Sequence, residues 1–311
     1  MPDLAQACRL ALVECLAVTT GTTVLIVTDT DLEPLGAAFF QAARELEAET
    51  ACLTMLSRDN HGQEPPGMVA AAMGQAQVAV LVTAKSLSHT RARREANIAG
   101  ARIASLPGAT ADMLQRTLAV DYNTLAADCE HYAAILSGGH EVHLTTPAGT
   151  DLTFSIAGRQ GHPDTGLYRQ PGAFGNLPAG EAYIAPVEGT ARGILVIDGA
   201  LAGFGVLEQP LRIEVQGGQA VAVGGGREAR LLEETIFNRY GPASRNIAEL
   251  GIGLNPRARL TGRVLEDEKV RGTVHIALGD NSTFGGRVEA PSHLDGILLQ
   301  PRLVVDGQPV L

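Results

Sequence analysis

Aromatic residues are scarce in this chain: they make up 4% of its 311 residues, and tryptophan is absent. Proteins that bind single-stranded nucleic acid usually offer aromatic rings on which the bases stack. The net charge is −10, and no basic cluster is long enough to follow a phosphate backbone. We therefore expect no nucleic-acid partner. The composition, 45% hydrophobic and 19% charged, is typical of a soluble globular protein.

Long apolar runs are also missing. No segment approaches the roughly 20 apolar residues that a membrane helix needs. The N-terminus lacks a basic stretch followed by an apolar block, which is the mark of a secretion signal. The cysteines Cys8, Cys15, Cys52 and Cys129 lie in the first half of the chain and form no CxxC pair. These features predict a cytoplasmic protein with free thiols and no membrane partner.

The first part of the chain alternates helical and strand-like patterns. Apolar spacing predicts helices at residues 4–18, 35–47, 93–103 and 113–136, and apolar runs predict strands at residues 23–28, 51–56 and 78–82. This order predicts an α/β domain with a parallel sheet over residues 1–137. No GxGxxG motif follows the first strand, so we expect no dinucleotide site.

Beyond Ser137-Gly138-Gly139 the composition shifts to short strands and glycine-rich turns. The pattern predicts a hairpin at residues 141–156, a helix at 227–239, and strands at 193–199, 211–215, 220–223, 273–278 and 297–305. Residues 138–311 are therefore predicted to form an antiparallel-rich α+β domain. The chain is long enough for two such domains.

His293-Leu294-Asp295 is the most specific chemical motif. Residues two apart on a strand point to the same face, so this imidazole and carboxylate could hold one divalent metal ion. Glu249 lies among apolar residues, where an acid is costly to bury unless it is paired or bound to metal. Glu181 follows a turn, and His275 lies in an apolar strand, where a histidine is more often a satisfied core residue.

Together these side chains predict a metal site formed by Glu181, Glu249, His275, His293 and Asp295. Oxygen and imidazole ligands suit Zn²⁺, Co²⁺, Mn²⁺ and Fe²⁺. Bridging carboxylates could hold two ions about 3.5–4 Å apart. The number of ions, one or two, stays open.

The same segments, in the same order, resemble the thermophilic metallo-aminopeptidases of the aminopeptidase T family (peptidase family M29). Residues 175–186 resemble the stretch around their first metal-binding glutamate, and Ala248-Glu249-Leu250 the stretch around the second. Residues 273–279 resemble the segment of their first metal histidine, and His293-Leu294-Asp295 their last ligands. The resemblance implies an α/β N-terminal domain, a metal-bearing C-terminal domain and a homodimer.

The resemblance also implies a zinc-type metallo-aminopeptidase, in which metal-activated water attacks a peptide or amide bond of a peptide or small-molecule substrate. Glu181 and Asp280 are predicted to be catalytic, the latter because it directly follows the His275 strand and could move a proton. The neighbouring Glu266-Asp267-Glu268-Lys269 is more typical of a solvated charged turn.

Two other hypotheses remain open. Residues 279–286 hold no tyrosine, whereas the family peptidases carry one shortly after their first metal histidine. The same fold group includes iron(II) enzymes that open dihydroxypyridine rings with dioxygen, using two histidines and one carboxylate. His275, His293 and Asp295 could form that triad, which makes a mononuclear iron(II) ring-cleaving dioxygenase the second hypothesis. A non-catalytic dimeric metal-binding protein is the third.

Overall fold

A computed structural model describes residues 3–311. Helices and strands alternate in the first part: α1 (Leu4–Leu10), β1 (Thr23–Asp29), α2 (Glu33–Glu45), β2 (Glu49–Met55), α3 (Gly67–Met73), β3 (Val78–Val82), α4 (Arg91–Ile98), β4 (Arg102–Ser105), α5 (Ala111–Thr117) and α6 (Tyr122–Gly138). Strands predominate afterwards: β5 (Glu141–Thr145), β6 (Asp151–Ser155), β7 (His162–Asp164), β8 (Phe174–Asn176), β9 (Glu181–Ile184), β10 (Arg192–Ile197), β11 (Ala200–Leu201), β12 (Gly205–Val206), β13 (Leu211–Gln216), β14 (Gln219–Gly224), α7 (Arg227–Leu232), α8 (Asn238–Tyr240), β15 (Ile247–Gly253), α9 (Val264–Asp267), β16 (Val274–Gly279), β17 (His293–Leu298), β18 (Arg302–Val305) and β19 (Gln308–Pro309).

The chain forms two compact units. The first comprises residues up to Thr124 together with Gly166–Ala179. It contains a five-stranded parallel sheet in the order β2-β1-β3-β4-β8. The central strand β3 is buried along its whole length, as expected when both faces of a parallel sheet are covered. The predicted α/β domain with a parallel sheet is confirmed.

The second unit comprises Leu125–Thr165 and Gly180–Leu311. It holds two seven-stranded sheets, in the orders β14-β13-β10-β6-β5-β18-β19 and β12-β11-β17-β16-β15-β9-β7. Their strand pairs are antiparallel, which confirms the predicted antiparallel-rich architecture. Ile197 of β10 packs on Gly296 of β17, where a Cβ atom would stand 2.4 Å from the isoleucine Cδ1.

Several predicted element boundaries are wrong. The helix expected at residues 93–103 ends at Ile98, because Gly100 adopts a φ of 100° that ends a helix, and β4 follows. The helix expected at residues 113–136 is divided into α5 and α6. The strand expected at residues 297–305 is divided into β17 and β18 by a turn in which Gln300 has a φ of 48°.

Two further expectations concern the whole chain. Within residues 3–311, no helix combines the length and the apolar character that crossing a bilayer requires. The domain boundary expected between residues 137 and 138 stays a prediction, as does the homodimer; β8 lies beyond that boundary and pairs with β4 of the first unit.

Candidate metal centre

One face of the second antiparallel sheet carries all the predicted ligands. The strands β9, β15, β16 and β17 are consecutive neighbours in this sheet. Residues that pair across antiparallel strands, and residues two apart along a strand, share a face. The register pairs Gly253 with Glu181, Gly251 with His275, Glu249 with Ala277, Ala277 with Asp295, and Gly279 with His293, which places the five predicted ligands on one face.

The carboxylate of Glu249 lies between the two imidazoles. Its Oε1 is 3.3 Å from Nε2 of His275, and its Oε2 is 3.5 Å from Nε2 of His293. Asp295 Oδ1 lies 3.3 Å from His293 Nε2, and Glu181 Oε2 lies 3.5 Å from His275 Nε2. Two groups therefore converge within 4.8 Å: Glu181, Glu249 and His275, and Glu249, His293 and Asp295.

These donors fit a divalent metal ion. Separations of 3.3–3.5 Å are long for hydrogen bonds, but they match the spacing of atoms that share one ion at about 2.0–2.2 Å. Glu181, Glu249 and Asp295 are at most 7% exposed, and His275 is fully buried. Glu181 Oε2, which lies near His275 Nε2, is also buried without a hydrogen-bond partner within residues 3–311. The role of the five residues as metal ligands stays a prediction.

The carboxylates of the metal centre favour the protonated, positively charged forms of His275 and His293. Burial lowers the pKa of His275, but the hydrogen bond to Glu249 and the surrounding carboxylates outweigh it and raise this pKa to about 9. Burial also lowers the pKa of His293, but Asp295 outweighs this effect and raises the pKa to about 10. The pKa of Asp295 is lowered, because His293 outweighs the effect of its burial. The site thus attracts cations, and a metal ion must displace the imidazole protons.

The orientation of His293 depends on the backbone of Asp280. His293 Nδ1 donates to the Asp280 carbonyl oxygen at 2.7 Å, since a carbonyl can only accept. This bond aims Nε2 at Glu249 and Asp295, as a metal-binding histidine requires. The Asp280 carboxylate instead accepts from Ser282 and from the amide of Ala290. It is not among the converging atoms, and its predicted proton-transfer role stays a prediction.

Gly251 is a site residue that the sequence analysis missed. A Cβ atom at this position would stand 2.0 Å from Nε2 of His275, so only glycine leaves room for the imidazole. The sequence analysis did not predict the strand β15 either, because its two glycines weaken the strand propensity of the segment. The spacing Glu249-x-Gly251-x-Gly253 is the signal that could have indicated a strand with a crowded face.

Lys269 is the second missed residue. It is 1% exposed, and its Nζ donates to Glu181 Oε1 at 2.6 Å and to Glu268 Oε1 at 2.7 Å. Burial lowers the pKa of Lys269, but Glu181, Glu268 and Asp164 outweigh it and raise the pKa, so the ammonium keeps its charge.

The prediction of a solvated turn at residues 266–269 is wrong. Glu266 and Asp267 are buried as well as Lys269. Backbone amides donate to both carboxylates: Glu266 Oε1 accepts from Arg259, and Asp267 Oδ1 accepts from Thr261. A backbone N–H that donates to a buried acid offsets part of the cost of its burial, and the charged residue types along the sequence do not reveal such a donor.

Three rings form an aromatic patch beside the imidazole of His293: His162, Tyr183 and Phe284. Phe284 lies edge-on to His293, with 5.9 Å between ring centroids, and edge-on to Tyr183 at 5.6 Å. Tyr183 stacks on His162 at 5.3 Å. The rings are partly exposed, so the patch offers a surface on which a flat ligand could stack.

Comparison with known proteins places this geometry in a family. Residues 3–311 match the family model described as "NicX: 2,5-dihydroxypyridine 5,6-dioxygenase". A curated relative, the 2,5-dihydroxypyridine 5,6-dioxygenase of Pseudomonas putida KT2440, is 25% identical over 189 residues, which is 57% of this chain and 54% of the relative. The chain thus spans about half the length of the curated relative it matches.

Two solved structures share the fold. The 2,5-dihydroxypyridine dioxygenase from Pseudomonas putida KT2440 superposes with a TM-score of 0.83 at 21% identity, covering 99% of this chain and 95% of that one. Wild-type AmpT from Thermus thermophilus superposes with a TM-score of 0.70 at 16% identity, covering 99% of both chains. At these identities the likeness shows the fold alone.

The predicted metallo-aminopeptidase function is wrong. The family model and the curated relative both name a dioxygenase rather than a hydrolase. The prediction of a zinc metalloprotease is wrong for the same reason. The error has a chemical cause. Imidazole and carboxylate ligands suit hydrolytic zinc and redox-active iron alike, so the ligand set alone could not separate the two reactions.

Proposed function

The chain belongs to the NicX family of 2,5-dihydroxypyridine 5,6-dioxygenases, and on that premise we propose that it is an iron(II)-dependent dioxygenase that opens the ring of a dihydroxylated pyridine. One observation supports the proposal above the others. Two imidazoles and the acids around them converge on one face of a sheet in a chain whose described length matches this family. The reaction would insert both atoms of one dioxygen molecule as a ring C–C bond breaks, so no external reductant is needed.

His275, His293 and Asp295 would hold the ion, with Glu249 beside both imidazoles. Two histidines and one carboxylate are the ligand set typical of non-haem iron(II) oxygenases. When bound, iron(II) would supply the redox chemistry that allows dioxygen to react with a closed-shell ring.

The remaining residues of the site would orient the reactants. The Asp280 carbonyl holds the imidazole of His293 with Nε2 toward the acids. The aromatic patch would bind the flat pyridine ring by stacking, because Phe284 lies beside His293, Tyr183 lies beside Phe284, and both rings are partly exposed. Glu181, Glu249 and Asp295 are themselves at most 7% exposed, so little water surrounds their carboxylates, which strengthens their electrostatic effect.

The test is an anaerobic reconstitution with iron(II), followed by addition of 2,5-dihydroxypyridine and oxygen. We expect one oxygen molecule to be consumed per ring opened, seen together as oxygen uptake and loss of the ring's ultraviolet absorbance. His293→Ala should abolish both signals, whereas His131→Ala, at an exposed histidine of α6, should leave them unchanged. No oxygen uptake by the loaded wild-type protein across a panel of dihydroxypyridines would refute the proposal.

A further inference from the structure

Lys269 is a buried cation beside the metal centre that the proposed reaction does not use. Its Nζ hydrogen-bonds to Glu181 and Glu268, and Asp164 Oδ2 lies 3.6 Å away. An ammonium group has three N–H donors and no acceptor; two of its donors are taken by Glu181 and Glu268, and Asp164 adds a nearby negative charge. At 1% exposure Lys269 is out of reach of a substrate, and any influence on the centre must pass through its acidic partners.

Glu181 is the partner that links Lys269 to the ligands. The two groups of converging atoms share Glu249, and by distance alone they could serve two ions. An ion in the group of Glu181, Glu249 and His275 would need the Glu181 carboxylate, whose Oε1 is already bonded to the ammonium at 2.6 Å. A divalent ion at Oε2 would then stand close to a fixed positive charge in buried surroundings, where repulsion between like charges is strong.

The other group shares no hydrogen bond with the ammonium. Both hydrogen bonds of the Lys269 ammonium go to carboxylates outside the group of Glu249, His293 and Asp295.

We propose that the Lys269 ammonium is a built-in cation that binds Glu181 and thereby restricts the centre to one divalent ion, held without Glu181 by the ligands of the proposed function, His275, His293 and Asp295. Lys269 is thus a positioning residue that determines the number of ions. The inference rests on the metal site of the proposed function, but it does not depend on the reaction carried out there.

The test counts bound manganese(II), which needs neither substrate nor oxygen. After equilibrium dialysis, we expect elemental analysis to find one Mn²⁺ per wild-type chain, with the six-line electron paramagnetic resonance spectrum of an isolated ion. Lys269→Met removes the charge and releases Glu181, so we expect two Mn²⁺ per chain and a spin-coupled spectrum. Arg271→Met is the matched control, since Arg271 pairs with Asp128 at a partly exposed position, and it should keep one ion.

Two wild-type ions, or a single ion in Lys269→Met, would overturn the inference. Lys269→Met can fail to fold, because it leaves buried acids unpaired. In that case the double variant Lys269→Met/Glu268→Gln removes one of those charges; two ions are expected in it, and one ion would again overturn the inference. A wild-type chain that binds one Mn²⁺ but consumes no oxygen when loaded with iron(II) would refute the proposed function and leave this inference standing.

Discussion

Gly251 lies directly across from His275 in the antiparallel pair of β15 and β16, and the imidazole covers the place where a side chain would begin. Gly251→Ala should therefore push the ring away from Glu249. We expect metal affinity to fall by about 10- to 100-fold, the range seen when the support of a metal ligand is disturbed. Titration with Mn²⁺ measures this. Gly138→Ala, where a Cβ meets nothing within 4 Å, is the matched control, and equal affinities in both variants would contradict the prediction.

Metal binding should stabilise the protein. An ion at 100 times its dissociation constant adds about 2.7 kcal/mol to the free energy of unfolding of a protein that binds it only when folded. We expect Mn²⁺ to raise the melting temperature by several degrees in calorimetry, and a chelator to reverse the shift. His293→Ala should lose the shift, and His131→Ala should keep it. A shift of the same size in His293→Ala would show that the ion binds elsewhere.

The aromatic patch should determine how well a pyridine substrate binds. Phe284→Leu keeps an apolar side chain but removes the ring, so about 0.5–1.5 kcal/mol of ring interaction is lost. We expect KM for 2,5-dihydroxypyridine to rise about twofold to tenfold with a smaller change in kcat, measured by oxygen uptake. Phe40→Leu in α2, whose ring contacts Arg44, is the control. An unchanged KM in Phe284→Leu would exclude stacking on this ring.

The thiols should differ in reactivity. Burial raises the pKa of Cys8 to about 12 and also raises the pKa values of Cys129 and Cys52, but Cys52 alone among the four free cysteines is partly exposed. Because the thiolate is the nucleophile, a disulfide reagent at pH 8 should label one thiol per native chain, slowly, and faster as pH rises. Cys52→Ser should abolish this labelling. Rapid labelling of that variant would contradict the assignment.

Local periodicity is sufficient to predict part of the fold and of the site. The alternating order of helical and apolar segments predicts the parallel sheet, which the structure confirms. The period-two rule for strands predicts that His293 and Asp295 face one point, and their side chains lie 3.3 Å apart on β17. The ends of helices are harder to predict from periodicity. Gly100 ends α4 within a segment whose composition is otherwise typical of a helix.

The chemistry could not be predicted from the ligands. The same two histidines and acids suit a hydrolytic metal and an oxygen-activating one, so the residue types favoured neither. The residues 279–286, which lack a tyrosine and contain Phe284, carried the useful signal. The position of Phe284 at the site is visible only in the folded structure, where its ring contacts those of Tyr183 and His293.

Local sequence patterns are enough to predict the alternating first unit, the strand-rich second unit and the pairing of His293 with Asp295, because each follows from periodicities of a few residues. Two contacts come from the tertiary fold alone: Lys269 donates to Glu181, 88 positions earlier, and the His275 imidazole fills the space beside Gly251. Both contacts depend on which strands become neighbours in the sheet and on what is buried there. Local periodicity carries no information about such long-range pairing. The four charged residues 266–269 favoured an exposed turn, although Glu266, Asp267 and Lys269 are buried.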